Sequence, residues 1–86
     1  MQETDKIVTI FRKRRDINSD KTYESLLVYG IDPDAIQRIY QNESPALFTF
    51  FRVHTLPTVL LFTDGEEIQR LTGKEIDTNT LINFLK

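Results

Sequence analysis

Apolar positions come in short runs along this chain, and the spacing within each run separates strand from helix. Residues 6–11 hold Ile7, Val8, Thr9 and Ile10 in succession and end on Phe11. Four β-branched side chains in a row lose rotamer freedom in a helix and pack well on a pleated sheet, so this run predicts a buried strand. The mostly polar stretch Asp16-Ile17-Asn18-Ser19-Asp20 follows. Its short side-chain oxygens suit a helix start, where they accept the free N–H groups of a first turn. Tyr23, Leu26 and Leu27 then recur at helical spacing, which predicts a helix over residues 19–29 halted by Gly30.

The second half is punctuated more clearly. Residues 31–34 read as a connection, and residues 35–40 as a strand supported by Ile36 and Ile39 alone. Ser44-Pro45 marks a helix start, with proline at the first helical position, and predicts a helix over 45–51 that buries some of Leu47, Phe48, Phe50 and Phe51. Residues 58–63 form an apolar strand, Asp64-Gly65 a two-residue hairpin turn, and residues 67–71 the returning strand. Gly73 interrupts the chain. Asp77 or Thr78 then caps a last helix whose Leu81, Ile82, Phe84 and Leu85 make an apolar face. The order is β-α-β-α-β-β-α: an α/β fold with a mixed sheet of about four strands and three helices, in one domain over residues 1–86.

Composition narrows the chemistry. Cysteine is absent, so the chain has no thiolate and cannot exchange disulfides with its own side chains. His54 is the only histidine, and a zinc site would have to be built mostly from carboxylates, against the usual donor set. No metal or other cofactor is expected. No run approaches the roughly 18 apolar residues of a membrane helix, and the N-terminus lacks a basic-then-apolar signal pattern. A cytoplasmic location is the expectation, in line with the lack of cysteine. The net charge of −2 gives no general pull toward nucleic acid, yet Arg12, Lys13, Arg14 and Arg15 form an unbroken basic run.

Pro57-Thr58, an apolar strand, an Asp-Gly turn, a second strand, Gly73 and an amphipathic helix occur in that order. Upstream stand Asn42-Glu43-Ser44-Pro45-Ala46-Leu47 and Phe51-Arg52-Val53-His54-Thr55-Leu56-Pro57-Thr58. Together these resemble the C-terminal half of thioredoxins over residues 36–86. The resemblance implies a minimal thioredoxin-like fold and a cis Leu56–Pro57 bond. It also implies that the backbone just before Pro57 pairs with an extended partner segment. By the same resemblance, residues 7–11 stand for the central strand, and Asp16 and Ser19 occupy the two cysteine positions of the Cys-x-x-Cys motif. The tryptophan before that motif, the buried aspartate behind it and about one N-terminal strand and helix have no counterpart. Inherited redox activity is therefore out of reach.

Ser19, Asp16 and His54 do supply a serine–histidine–aspartate inventory, but no nucleophile elbow or oxyanion arrangement accompanies them. An N-cap is the simpler task for Asp16 or Ser19, and the chain is not expected to be an enzyme. The expected function is a non-catalytic, protein-binding module. Thr55 and Leu56 would supply backbone pairing, Pro57 and Ile17 shape, and Arg12, Lys13, Arg14 and Arg15 steering of an acidic or extended partner segment. The alternative is binding of nucleic acid or a phosphate ligand through residues 12–15, which carries a steep salt dependence.

Overall fold

The computed structural model describes residues 5–86. Its first strand, β1 (Lys6–Arg12), runs through the middle of a four-stranded sheet. The strand β2 (Ile36–Tyr40) lies parallel to β1 on one side, and β3 (Thr58–Thr63) lies antiparallel to it on the other. The last strand, β4 (Glu66–Thr72), pairs antiparallel with β3, giving the order β2-β1-β3-β4. β1 and β3 are central and largely buried, which accounts for their near-continuous apolar sequences.

Alternation along the strands divides the core in two. Val8 and Ile10 stand opposite Leu61 and Val59, and these residues meet Leu26, Leu81 and Ile82 on one face of the sheet. Phe11 and Leu60 join Phe48 and Val53 in a second cluster. There the Phe11 ring meets those of Phe48 and Phe51 edge-on, at 5.0 and 5.7 Å between centroids. Burying each of these larger side chains contributes about 1.5–3 kcal/mol before the entropy of ordering it is counted.

Helix α1 (Ile17–Tyr29) supplies Leu26 to the first cluster and α3 (Thr78–Leu85) supplies Leu81 and Ile82. The short α2 (Pro45–Phe50) supplies Phe48 to the second. α1 begins two residues before its expected start because Asp16 caps it, and it ends at Gly30, which is left-handed at φ 105°. The Ile31 N–H bonds back to the Leu26 carbonyl at 3.0 Å, so Ile31 closes the helix as it enters the core. Pro45 sits in the first turn of α2 as expected, but Ser44 makes no side-chain cap bond there; Asp77 caps α3. Residues 31–34, read as a plain connection, contribute to a 3-10 turn at Pro33–Ala35 instead.

The hairpin turn is of the type its Asp-Gly sequence demands, with Asp64 and Gly65 both at positive φ, 51° and 83°. Asp64 also ties down the chain before β1. Its carboxylate accepts the Asp5 N–H at 2.9 Å, and its own N–H donates to the Asp5 carbonyl at 2.7 Å. The register slips between Leu61 and Phe62, which leaves Ile68 as the extra residue of a bulge on an edge strand.

Candidate functional site

The end of β1 departs most from expectation. Arg12 does not belong to an exposed basic rim: it is only 1 % exposed. Its Nε donates to the Lys13 carbonyl at 3.0 Å, and Nη2 to the carbonyls of Arg14 at 3.2 Å and Asp16 at 3.5 Å. Nη1 pairs with the Asp20 carboxylate, and the guanidinium lies 5.1 Å from the Tyr40 ring centre. Desolvating a charge this completely is tolerable only because its donors find acceptors. Arg12 is thus the frame on which the loop to α1 is wound. Lys13, Arg14 and Arg15 keep their side chains exposed. The basic rim has three members, not four.

Asp16 and Ser19, the residues that the resemblance implies stand for the two cysteines, are joined to each other. One Asp16 carboxylate oxygen accepts the N–H groups of Asn18 and Ser19 at 3.2 and 3.3 Å; the other accepts the Ser19 hydroxyl at 2.9 Å. This is a helix cap with the serine folded into it, and Ser19 is buried. No hydrogen bond joins His54 to either residue among the described residues, and His54 is exposed. The serine–histidine–aspartate set is not assembled. Ile17 is 70 % exposed and projects outside the groove described below.

The approach to β3 is held from its far side. Arg70 pairs with Glu67 through two bonds of 2.8 and 2.9 Å and donates to the carbonyls of Phe51 at 2.9 Å and Arg52 at 3.3 Å. The hydrogen bond from Arg70 holds the Glu67 carboxyl below its ordinary pKa against the opposing effect of burial. Beyond this anchor the Leu56–Pro57 peptide bond is cis. The side chain of Leu56 packs against the Phe11 cluster. The Thr58 hydroxyl takes the Thr55 carbonyl, and the Pro57 carbonyl accepts the Gly73 N–H at 3.5 Å. Leu56 is left with neither its N–H nor its C=O in a backbone hydrogen bond among the described residues.

Asn18 and Ser19 line the same groove as Pro57, together with Lys21, Thr22 and Lys74. The groove encloses about 480 Å³, with Ile10 and Val59 of the sheet contributing to its lining. Neither Thr55 nor Leu56 lines it. Sequence reasoning missed Lys21, Thr22 and Lys74. A signal was present for the first two: Asn18, Lys21, Thr22 and Ser25 recur at i, i+3, i+4 and i+7, a polar stripe along one side of α1. Beside the groove, Glu75 is tied to the backbone N–H and hydroxyl of Thr72, both at 3.0 Å, and these bonds lower its pKa.

With no thiol in the chain, disulfide exchange by its own side chains is excluded. No cluster of metal-binding side chains occurs among the described residues. No helix among them is long and apolar enough to cross a membrane.

A four-stranded mixed sheet with this strand order, three helices and a cis-proline before the third strand is the architecture of the thioredoxin fold. Solved structures agree. The chain superposes on a thioredoxin from Halobacterium salinarum NRC-1 with a TM-score of 0.77 and 23 % identity, covering 94 % of this chain and 72 % of that one. On the malaria parasite thioredoxin-2 the TM-score is 0.78 at 19 % identity, covering 96 % and 82 %. On mitochondrial thioredoxin 3 from Saccharomyces cerevisiae it is 0.68 at 22 % identity, covering 94 % and 76 %. No family model matches the sequence, and no curated protein matches it. The chain has a thioredoxin-like fold without the Cys-x-x-Cys motif.

Proposed function

We propose that this chain is a non-catalytic protein-binding module whose docking surface is the groove between the start of α1 and Pro57. The observation that carries the reading is the state of Leu56, whose main-chain N–H and C=O lack partners next to that groove. Backbone groups in this condition suit strand-like pairing with an extended segment of another chain. Leu56 supplies that pairing. Thr55 contributes less, since its carbonyl is engaged by Thr58. Pro57 and Ser19 give the groove its shape, and the exposed Lys13, Arg14 and Arg15 steer acidic partners toward this end of the molecule.

The reading is tested by selecting extended peptides from a random displayed library on immobilised protein and mapping the binders by NMR. Asn18→Trp fills the groove from an exposed position and leaves the core untouched. Selected peptides should shift the Leu56 amide resonance and lose at least about tenfold in affinity to this variant, roughly 1.4 kcal/mol. Peptides that bind the variant equally well and shift resonances elsewhere would remove the groove from consideration.

The nucleic-acid alternative draws on the same basic run. Its electrostatic footprint is reduced to three cations, because Arg12 is consumed by the loop it supports.

A further inference from the structure

Lys21 and Lys74 come from different elements, α1 and the 3-10 turn after β4, yet both line the groove at Pro57. Among the described residues the ion pairs are Arg12–Asp20 and Arg70–Glu67, so neither lysine has a carboxylate partner. Glu24 lines the neighbouring depression and not this groove, and the other acids nearest in sequence are occupied: Asp20 by Arg12, Glu75 by Thr72 and Asp77 by the cap of α3. None of these three carboxylates lines the groove. Its other polar lining is hydroxyl and amide: Asn18, Ser19, Thr22, Ser25 and Thr78.

The polar stripe on α1 strengthens the point. A helix packed on a sheet ordinarily turns apolar residues inward, and here Leu26 alone is a fully buried apolar side chain of α1. The stripe from Asn18 to Ser25 faces the groove instead, so the groove offers hydrogen-bonding groups to whatever enters it. It fits a ligand that can replace water with hydrogen-bonding and charged groups. A second depression shares Lys21 and Ser25 and continues to Glu24, Val28 and Tyr29. Glu24 makes that far end the less favourable one for negative charge.

We infer that Lys21 and Lys74 select the partner of this groove, and that the partner is a protein segment in extended conformation with acidic side chains entering beside Pro57. The inference rests on the proposed docking surface and names its specificity. It assigns discrimination to two lysines within the groove and leaves Arg14 and Arg15 outside it, acting on encounter rate. Charges that a docked segment covers, and so strips of water, discriminate more strongly than charges left on an open surface.

The test is fluorescence anisotropy with a fluorescein-labelled peptide of four glutamate–valine repeats, against the same peptide with glutamine for glutamate. The wild-type chain should bind the glutamate peptide about tenfold more tightly, about 1.4 kcal/mol. Lys21→Glu with Lys74→Glu should abolish that preference; both positions are exposed, so the fold is kept. Arg14→Glu with Arg15→Glu should preserve the preference. The inference is overturned if the lysine variant keeps the preference, if the arginine variant loses it, or if the wild type binds both peptides equally. It is overturned likewise if an oligothymidine displaces the peptide in a lysine-dependent way, which assigns the groove to nucleic acid. Asn18→Trp separates the two levels. Loss of both peptides in that variant keeps the docking surface whatever the lysines do, whereas unchanged binding, or no binding by the wild type, removes surface and selectivity together.

Discussion

The hydroxyl of Thr58 donates to the carbonyl of Thr55 and closes the chain across the intervening Leu56–Pro57 bond. Thr58 is 2 % exposed, so its hydroxyl has no water to fall back on, and the bond both satisfies it and sets the path of the segment. Leu56 is bracketed by this bond but not included in it, which is why its main chain stays open.

Thr58→Val keeps the shape of the side chain and removes the donor. The Thr55 carbonyl lies at an exposed residue and rehydrates, so the expected cost is modest, about 1 kcal/mol. Urea unfolding should show a lower midpoint with an unchanged m-value.

Arg12→Ala should be the most damaging single change in the basic run. Its partner Asp20 is 53 % exposed at the side chain and recovers water, so the loss comes mainly from the three loop carbonyls. Hydrogen bonds from charged donors place that loss on the order of 2–3 kcal/mol. Arg12→Lys keeps the charge and lacks the planar fork, so it should rescue less than half. Arg14→Glu with Arg15→Glu, at exposed positions, should stay within about 0.5 kcal/mol of wild type in the same unfolding experiment.

The Asp16–Ser19 pair makes a clean double-mutant cycle. Asp16→Ala removes the cap of α1 and should cost about 1 kcal/mol; Asp16→Asn, which retains a capping oxygen, should cost less. Ser19→Ala should be nearly silent once Asp16 is gone, because its hydroxyl bonds to that carboxylate. A coupling of at least about 0.5 kcal/mol between the two sites is the expected result. Strict additivity would show that the bond is not formed in solution.

Stability should fall in acid. Glu67 and Glu75 both titrate below the ordinary glutamate value of 4.5 in the folded chain, Glu67 through the hydrogen bond from Arg70 and Glu75 through those from Thr72. A lowered folded-state pKa means the unfolded chain takes up protons first as pH drops. The stabilisation is therefore complete above the unfolded value and is lost as pH falls through the folded one. Melting temperatures measured from pH 7 to pH 3 should decline below about pH 4.5, and Glu67→Gln and Glu75→Gln should each flatten that decline.

The parts legible in the sequence are those written in local chemistry. Asp64-Gly65 specifies its turn without help from the rest of the chain, Pro45 opens α2, and Gly30 closes α1. Four β-branched residues place β1 in the middle of the sheet. Ile36–Tyr40 has thin support in the sequence because an edge strand buries little, and Ile36 alone in it is buried. What local pattern hides is the destination of charged side chains. Arg12 reads as one of four adjacent cations, yet it occupies the last inward position of a strand and finds Asp20 one helical turn beyond the Asp16 cap. Lys74 reaches the groove only because β4 returns the chain to Pro57, a relationship no window of sequence contains.

A loop whose main chain is braced by a residue outside it carries no structural obligation in its own side chains. Arg12 grips the carbonyls of Lys13, Arg14 and Asp16, and every amino acid presents a main-chain carbonyl whatever its side chain. Positions 13–15 are accordingly interchangeable parts on a rigid mount. They are suited to rapid evolutionary drift, and an engineer could graft new contact residues there without redesigning the scaffold.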